Sequence, residues 1–345
     1  MGKTFILVNA RACHALVFFL LLALTGCNES SNRDNANSHD AGKAADFIYL
    51  ADPTIFIHDS LYYLSGTNGD TEYSSQEGFL VYTSPDLKSW GGPTGATNGF
   101  ALMKGDAYGD KGFWAPQVFE YKNKFHIAYT ANEHIAMAEA DSPFGPFTST
   151  SKKELEAPVR QIDPFVLFDE DGKKYLYHVR LTEGNRIFVA ELNEDLLSIK
   201  PETLTECISV DQPWENTHNA DWPVAEGPTV LKHNGLYYLI YSANDFRNPD
   251  YAVGFATSES PLGPWTKSDS NPIIHKSMIG INGTGHGDVF MDKDGDMQYV
   301  FHTHFSDSIV HPRKTAVIKI QFVKQENGAD LLEVDQSTFK FLEQN

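Results

Sequence analysis

Three carboxylates and one imidazole occupy matching places along this chain: Asp52 in Ala51-Asp52-Pro53, Asp163 in Ile162-Asp163-Pro164, Glu226 in Glu226-Gly227-Pro228 and His286 in Gly285-His286-Gly287. Trp114-Ala115-Pro116-Gln117 fills a fifth such place. Carboxyls far apart in sequence that share a structural position can be gathered at one point, where like charges repel and shift one another's pKa. General acid–base chemistry needs that outcome, one carboxyl protonated near neutral pH and another ionised. Taken singly, Asp before Pro is a common turn opener that caps backbone N–H groups, and Glu in Glu-Gly-Pro reads as a solvated loop residue. The shared placement outweighs those readings.

The elements that position these residues come from one phrase repeated five times. It opens on a polar or Pro turn, runs into a strand, crosses a hairpin of Asp, Asn, Gly or Lys, and returns in a Tyr-rich strand. The first copy is Asp52-Pro53-Thr54-Ile55-Phe56-Ile57, His58-Asp59-Ser60, Leu61-Tyr62-Tyr63-Leu64. The fourth runs from Gly227-Pro228-Thr229-Val230 through His233-Asn234-Gly235 to Leu236-Tyr237-Tyr238-Leu239. Aligned on Ile55, Val118, Val166, Val230 and Val289, the copies step by 63, 48, 64 and 59 residues. Such steps are too long for helical solenoids and suit four-stranded blades. A second phrase follows most hairpins (Thr83-Ser84-Pro85 with Trp90, Ser142-Pro143 with Phe147, Ser260-Pro261 with Trp265) and predicts an aromatic packing between blades. The mature chain shows no sustained 3.6-residue periodicity. The expected fold is all-β, a five-bladed β-propeller. In it the innermost strands start near the axis, so the axial residues converge on one funnel. Asp292-Lys293-Asp294-Gly295-Asp296 resembles a calcium loop in miniature but lacks the distant Glu and reads as the fifth hairpin turn.

Of 345 residues, 27 are Lys or Arg and 46 Asp or Glu, a formal net charge of −19, with 12% aromatics and three Cys. Disorder, collagen and a disulfide scaffold are excluded, and a phosphate-backbone partner is disfavoured, so no nucleic acid is expected. Lys3 and Arg11 precede the apolar run Ala15-Leu16-Val17-Phe18-Phe19-Leu20-Leu21-Leu22-Ala23-Leu24. That run is too short to span a bilayer core of roughly 30 Å and reads as an export signal over residues 1–26. Leu24-Thr25-Gly26-Cys27 resembles a bacterial lipobox, in which Cys27 is lipidated and becomes the first mature residue. Residues 27–45, rich in Asn, Ser, Asp and Ala, are expected to form a flexible tether, and residues 46–345 the propeller. Removal of Cys13 and acylation of Cys27 would leave Cys207 without a disulfide partner, so the fold rests on its core. The expectation is an exported monomer, lipid-anchored to the bacterial cell envelope on its periplasmic or outer face.

In their order and repeat positions, Ala51-Asp52-Pro53, Trp114-Ala115-Pro116-Gln117, Ile162-Asp163-Pro164, Glu226-Gly227-Pro228 and Gly285-His286-Gly287 resemble glycoside hydrolase family 43, over roughly residues 46–322. Each motif alone is weak; the ordered set is specific. Fructan-cleaving propellers resemble the chain less, since it has no Asn-Asp-Pro-Asn-Gly, Arg-Asp-Pro or Glu-Cys element at the matching places. The resemblance implies an inverting glycosidase acting on a carbohydrate substrate, with Asp52 as general base, Glu226 as general acid and Asp163 tuning and orienting that acid. Inversion places acid and base about 6.5–9.5 Å apart, leaving room for water. No cofactor is implied for the chemistry. His286 matches an axial histidine that faces a structural Ca²⁺ or a water cluster in the central channel of many relatives, and since calcium prefers oxygen ligands it would act through water.

Arg313 in Val310-His311-Pro312-Arg313-Lys314 matches a substrate-binding Arg of the last blade. Trp114 and Phe113 are expected to supply an apolar wall to the sugar pocket and Trp222 to line its entrance, with His218 and Asn219 as further loop candidates. An insertion over residues 89–110 and the loop over residues 207–222 are expected to wall off the funnel. That favours exo action on terminal α-L-arabinofuranosides, then β-D-xylosides or β-galactofuranosides. An endo-acting arabinanase and a non-catalytic carbohydrate-binding lipoprotein are the alternatives.

Overall fold

Each copy of the repeated phrase forms the first two strands of an antiparallel sheet in the computed structural model, which describes residues 46–68 and 78–345. The export signal, the tether and Cys27 lie outside the described residues. The inner strands are Ala51–His58, Trp114–Tyr121, Gln161–Phe168, Ala225–His233 and Gly285–Met291. They pair with the Tyr-rich returns Leu61–Thr67, Lys124–Ala131, Lys174–Leu181, Leu236–Ala243 and Met297–Thr303. Several hairpins are two-residue turns with both central residues at positive φ, such as Asp59 and Ser60 (46° and 60°) and Asn234 and Gly235 (49° and 81°). That geometry matches the right-handed twist of the strands it joins.

The sheets form a five-bladed β-propeller. Blades three to five have four strands each, ending on Thr205–Ile208, Thr266–Lys267 and Leu331–Phe341. In the first blade Tyr82–Ser84 pairs with the return strand, and Gly78–Leu80 just before it pairs with Phe100–Met103. Residues 89–110 therefore complete the first blade. The propeller closes where its first strand, Asp46–Phe47, pairs with its last, Glu343–Gln344. Thr315 clasps this closure, with Oγ1 accepting from Leu50 N–H (3.1 Å) and donating to Leu50 O (2.9 Å).

Five buried apolar clusters correspond to the five blade interfaces. Tyr63 and Phe79 meet Phe113 and Tyr129 between blades one and two, Met137 meets Val166 and Leu176 between two and three, and Tyr177 meets Leu239 between three and four. Ile240 and Phe255 meet Tyr299 and Phe301 between four and five, and Leu64 and Trp90 meet Val300 and Val317 between five and one. The aromatics of the second phrase take the expected places: Trp90 and Phe147 are fully buried and Trp265 packs on the third interface. Trp90 sits at the closure, the interface between the last and the first blade. Trp90→Ala is therefore expected to destabilise the domain by about 3–5 kcal/mol, measured as a lower midpoint in urea with an unchanged slope.

Candidate active site

Every inner strand carries a β-bulge at its axial end, the register slipping between Ala51 and Thr54, Trp114 and Gln117, Ile162 and Phe165, Glu226 and Thr229, and Gly285 and Gly287. The bulged residues have positive φ: Asp52 (47°), Ala115 (45°), Asp163 (56°), Gly227 (60°) and His286 (43°). A bulge leaves a backbone position outside the ladder, which is why Pro is tolerated just after it in four of the blades, and it re-aims a side chain. Four of these residues carry a side chain, held in a backbone region costly to all but Gly.

The preceding blade satisfies the bulged N–H groups. Ala115 N–H donates to Thr67 Oγ1 (2.9 Å), Asp163 N–H to Thr130 Oγ1 (3.0 Å), His286 N–H to Ser242 Oγ (2.7 Å), and Asp52 N–H to His302 Nδ1 (3.1 Å). The third blade has Val179 at that position, opposite Ile162, and an apolar side chain accepts nothing. Gly227 N–H instead donates to Asp163 Oδ2 (3.2 Å). Asp163 is thereby tied to the backbone beside Glu226. Gly227 is required there because a Cβ would come within 2.8 Å of the His286 ring.

The carboxyls occupy contrasting environments. Asp52 Oδ2 accepts from Thr67 Oγ1–H (2.6 Å), while Oδ1 lies 3.3 Å from His286 Nδ1, 3.3 Å from His302 Nδ1 and 3.4 Å from Arg313 Nη1. Burial opposes its ionisation, but His286, Arg313 and His302 outweigh burial and hold Asp52 well below the usual carboxylate range. Burial pushes the pKa of both histidines down, that of His302 to about 3. The lasting positive charge beside Asp52 near neutral pH is therefore Arg313.

Glu226 Oε1 accepts from Tyr251 O–H (2.9 Å) and Oε2 from Asn185 Nδ2–H (2.8 Å). Burial, reinforced by the negative charge of Asp52, pushes its pKa up to about 7 despite those two donors. Burial and the neighbouring Glu226 and Asp52 likewise raise Asp163. Asp163 and Glu226 form a buried pair that retains protons to higher pH than either carboxyl would in water. The arrangement can supply an ionised base and a protonated acid at the same pH.

These groups lie at the foot of a funnel of about 920 Å³ whose lining includes Asp52, Trp114, Asp163, Asn185, Trp222, Glu226, Phe246, His286 and Arg313. The structure thus brings together every residue of the expected site except three. Phe113 is fully buried between Phe79 (5.9 Å) and Tyr129 (6.1 Å) in the interface of blades one and two, so the apolar wall on this side is Trp114 alone. His218 and Asn219 are exposed and lie outside the funnel lining. Of the two segments expected to wall the funnel, residues 89–110 face away from it, whereas the loop over residues 207–222 ends on Trp222 at its lining.

Several functional neighbours escaped the sequence reading: Thr67, Asn185, Tyr251 and His302, with Phe246 at the rim between Arg313 (4.5 Å) and Arg247 (5.5 Å). Thr67 and His302 lie at or next to the axial end of a return strand and Asn185 opens a third strand, positions close to the axis, where each inner strand starts. Among the described residues no group of three or more His, Cys, Asp or Glu is arranged to hold a metal ion. His286 directs Nδ1 at Asp52 and, at 3.9 Å, at Asp163. This nitrogen-bearing, carboxylate-facing setting does not fit a calcium ion bound directly by His286. Asp292 acts as the hairpin turn, its Oδ1 accepting from the N–H groups of Asp294 and Asp296.

A propeller whose axis presents an ionised and a protonated carboxyl to a sugar-sized funnel is built as a hydrolase of glycosidic bonds. The chain belongs to glycosyl hydrolases family 43, whose family model matches residues 48–326. It is a glycosidase, and the family's chemistry needs no cofactor. It is 24% identical to a β-D-galactofuranosidase of Aspergillus niger, over 89% of each chain. It is 28% identical to an arabinoxylan arabinofuranohydrolase of Bacillus subtilis, over 64% of this chain and 46% of that protein. A crystal structure described as an endo-1,4-β-xylanase from Bacteroides thetaiotaomicron superposes with a TM-score of 0.77 at 39% identity, covering 87% of this chain and 98% of the other.

Proposed function

We propose that the chain is an inverting exo-glycosidase that removes terminal pentose or furanose residues from plant-type polysaccharides or oligosaccharides, with α-L-arabinofuranosides the first substrate class, followed by β-D-xylosides and β-galactofuranosides. Asp52 takes a proton from the water that attacks the anomeric carbon. Glu226 protonates the departing glycosidic oxygen. Asp163 holds the backbone beside Glu226 and, buried against it, makes with it a pair of carboxyls that keeps protons to higher pH. The observation that carries this reading is the contrast between Asp52, ionised beside Arg313, and Glu226, pushed up to about 7 by burial. In an inverting enzyme these groups work in a single displacement. Proton NMR during hydrolysis is expected to show the product's first-formed anomer opposite in configuration to the substrate; a retained configuration would refute the mechanism.

A second reading, endo action, is favoured by the funnel's volume, about 920 Å³, near the upper end for single small ligands, and by the placement of residues 89–110 away from it. Products from linear arabinan decide between the two: free arabinose alone supports exo cleavage, and a ladder of oligosaccharides supports endo cleavage. For the full chain the proposal includes export as a monomer and anchoring in the bacterial envelope through lipidated Cys27. Cys27→Ser is then expected to shift the protein from the membrane to the soluble fraction.

A further inference from the structure

We propose that Trp222 is a positioning residue for the acid: its indole N–H fixes the side-chain amide of Asn185 in the orientation that donates to Glu226. Trp222 Nε1–H donates to Asn185 Oδ1 at 2.9 Å, and Asn185 Nδ2–H donates to Glu226 Oε2 at 2.8 Å. An indole N–H only donates, so it selects the oxygen end of the amide and leaves the NH₂ end for the carboxyl. Without that constraint the amide could turn and offer Oδ1 to a protonated Glu226, a hydrogen bond lost when the proton leaves. With it, Asn185 meets Glu226 only as a donor. That bond strengthens as the acid gives up its proton and becomes a carboxylate, so the relay stabilises charge that develops in the transition state.

The surroundings hold the relay in place. Asn185 N–H donates to Pro223 O (2.9 Å), which fastens the residue next to Trp222 onto the start of the same strand. Gly184, at φ 125°, permits this approach, because a Cβ there would lie 2.6 Å from Pro223 O. The loop that ends on Trp222 is braced at its base by the fully buried Glu215, which accepts from Asp211 N–H and Gln212 N–H (2.7 Å each), Tyr241 O–H (2.6 Å) and Lys267 Nζ (2.7 Å). The other groups bearing on the titration of Glu226 are Asp52, Asp163, Tyr251 and Asp245, with His286 and Arg313 beside Asp52. Trp222 is 49% exposed, so its replacement leaves the core intact.

The proposal rests on the assignment of Glu226 as acid, and its test separates the two. Trp222→Phe keeps an aromatic ring but removes the N–H together with part of the indole's area, a loss that the KM readout separates from the relay. With whichever furanoside or xyloside the enzyme hydrolyses, offered both as the dinitrophenyl glycoside and as the oligosaccharide, the variant is expected to raise the ratio of dinitrophenyl to oligosaccharide kcat about tenfold. The dinitrophenolate leaves without help from an acid, so only the oligosaccharide rate depends on Glu226. The basic limb of kcat/KM should move up by about 1 pH unit, since losing a donor favours the protonated acid. In an Asn185→Ala background, Trp222→Phe should change neither quantity. A higher KM with the basic limb and the rate ratio unmoved would overturn the proposal, as would equal losses on both substrates. Glu226→Gln, measured in parallel, must raise the same ratio about a hundredfold or more; if it does not, the acid assignment fails and the positioning role with it.

Discussion

Asp52→Asn is expected to lower kcat about a thousandfold with little change in KM, because it removes the proposed base, the group that would take the proton from water, while preserving the shape of the site. The same substitution removes an anion from beside Arg313, 3.4 Å away, with both side chains largely buried. Loss of that pairing should cost about 1–3 kcal/mol of stability. Activity and the urea midpoint measured on one preparation separate these effects: at a denaturant-free pH where the variant is fully folded, the kcat deficit remains. A variant that is destabilised but fully active would show that Asp52 serves only as the anchor of Arg313.

The pH profile follows from the same contrast. Asp52 is held ionised well below the usual carboxylate range, so the acidic limb of kcat/KM falls below the normal working range. As the proposed acid, Glu226 must be protonated to act, and its pKa is pushed up to about 7, so the rate is expected to fall as pH rises through about 7. Arg313 and the depth of burial are what separate the two limbs. An enzyme with both carboxyls near their ordinary values would have almost no population in the working state at neutral pH.

The axial residues were legible in the sequence because the propeller repeats one device. A residue at the bulge, followed in four blades by Pro, marks the start of each inner strand, and counting those marks finds Asp52, Asp163 and His286 directly and Glu226 one residue before Gly227. The partners were not legible in the same way. Asn185 reaches the funnel, and the buried Tyr251 and His302 reach Glu226 and Asp52, from second and third strands or the loops before them, whose register depends on hairpin and loop lengths that differ between blades. Nothing local distinguishes His302 in Phe301-His302-Thr303 from a core histidine. Phe113 illustrates the opposite error. It adjoins Trp114 in sequence, but successive residues in extended chain point to opposite sides, so when Trp114 faces the funnel Phe113 faces the blade interface. The loop before Trp222 contributes to the lining as expected, whereas residues 89–110 are taken up by strand pairing in the first blade, an outcome set by Gly78–Leu80, which needs a partner.

Val179 shows how much one position can determine. Where the other blades place Thr67, Thr130, Ser242 or His302 to accept the next bulged N–H, the third blade offers an apolar side chain, and Asp163 takes over that task for Gly227. A carboxylate that caps backbone is thereby drawn against the acid. The cost is visible at Asp163, which burial and the neighbouring Glu226 push well above the usual carboxylate range. A threonine at position 179 could satisfy Gly227 N–H, but it would remove the reason for Asp163 to stay within reach of Glu226.

Glu226→Gln should expose that cost as a gain in stability. On an unactivated substrate the variant is expected to lose about 10²–10⁴ in kcat, the range for a general acid, and the basic limb near pH 7 should vanish from whatever activity is left. Its stability should change in the opposite direction. The folded-state pKa of Glu226 is raised to about 7 from an ordinary value of 4.5, so the folded protein binds more protons than the unfolded chain between those pH values, and stability falls as pH rises through the window. Gln carries no such titration. Below pH 4.5 variant and wild type should therefore differ little, while above pH 7 the variant should be more stable by up to about 3 kcal/mol, the free energy of a shift of roughly 2.5 pKa units. Part of that gain comes through Asp163, which no longer faces a second ionisable carboxyl. Urea midpoints of both proteins at pH 4.5 and pH 8 test this directly: a difference that opens with pH identifies Glu226 as a carboxyl kept protonated against its chemistry, and a constant difference would assign it an ordinary structural role.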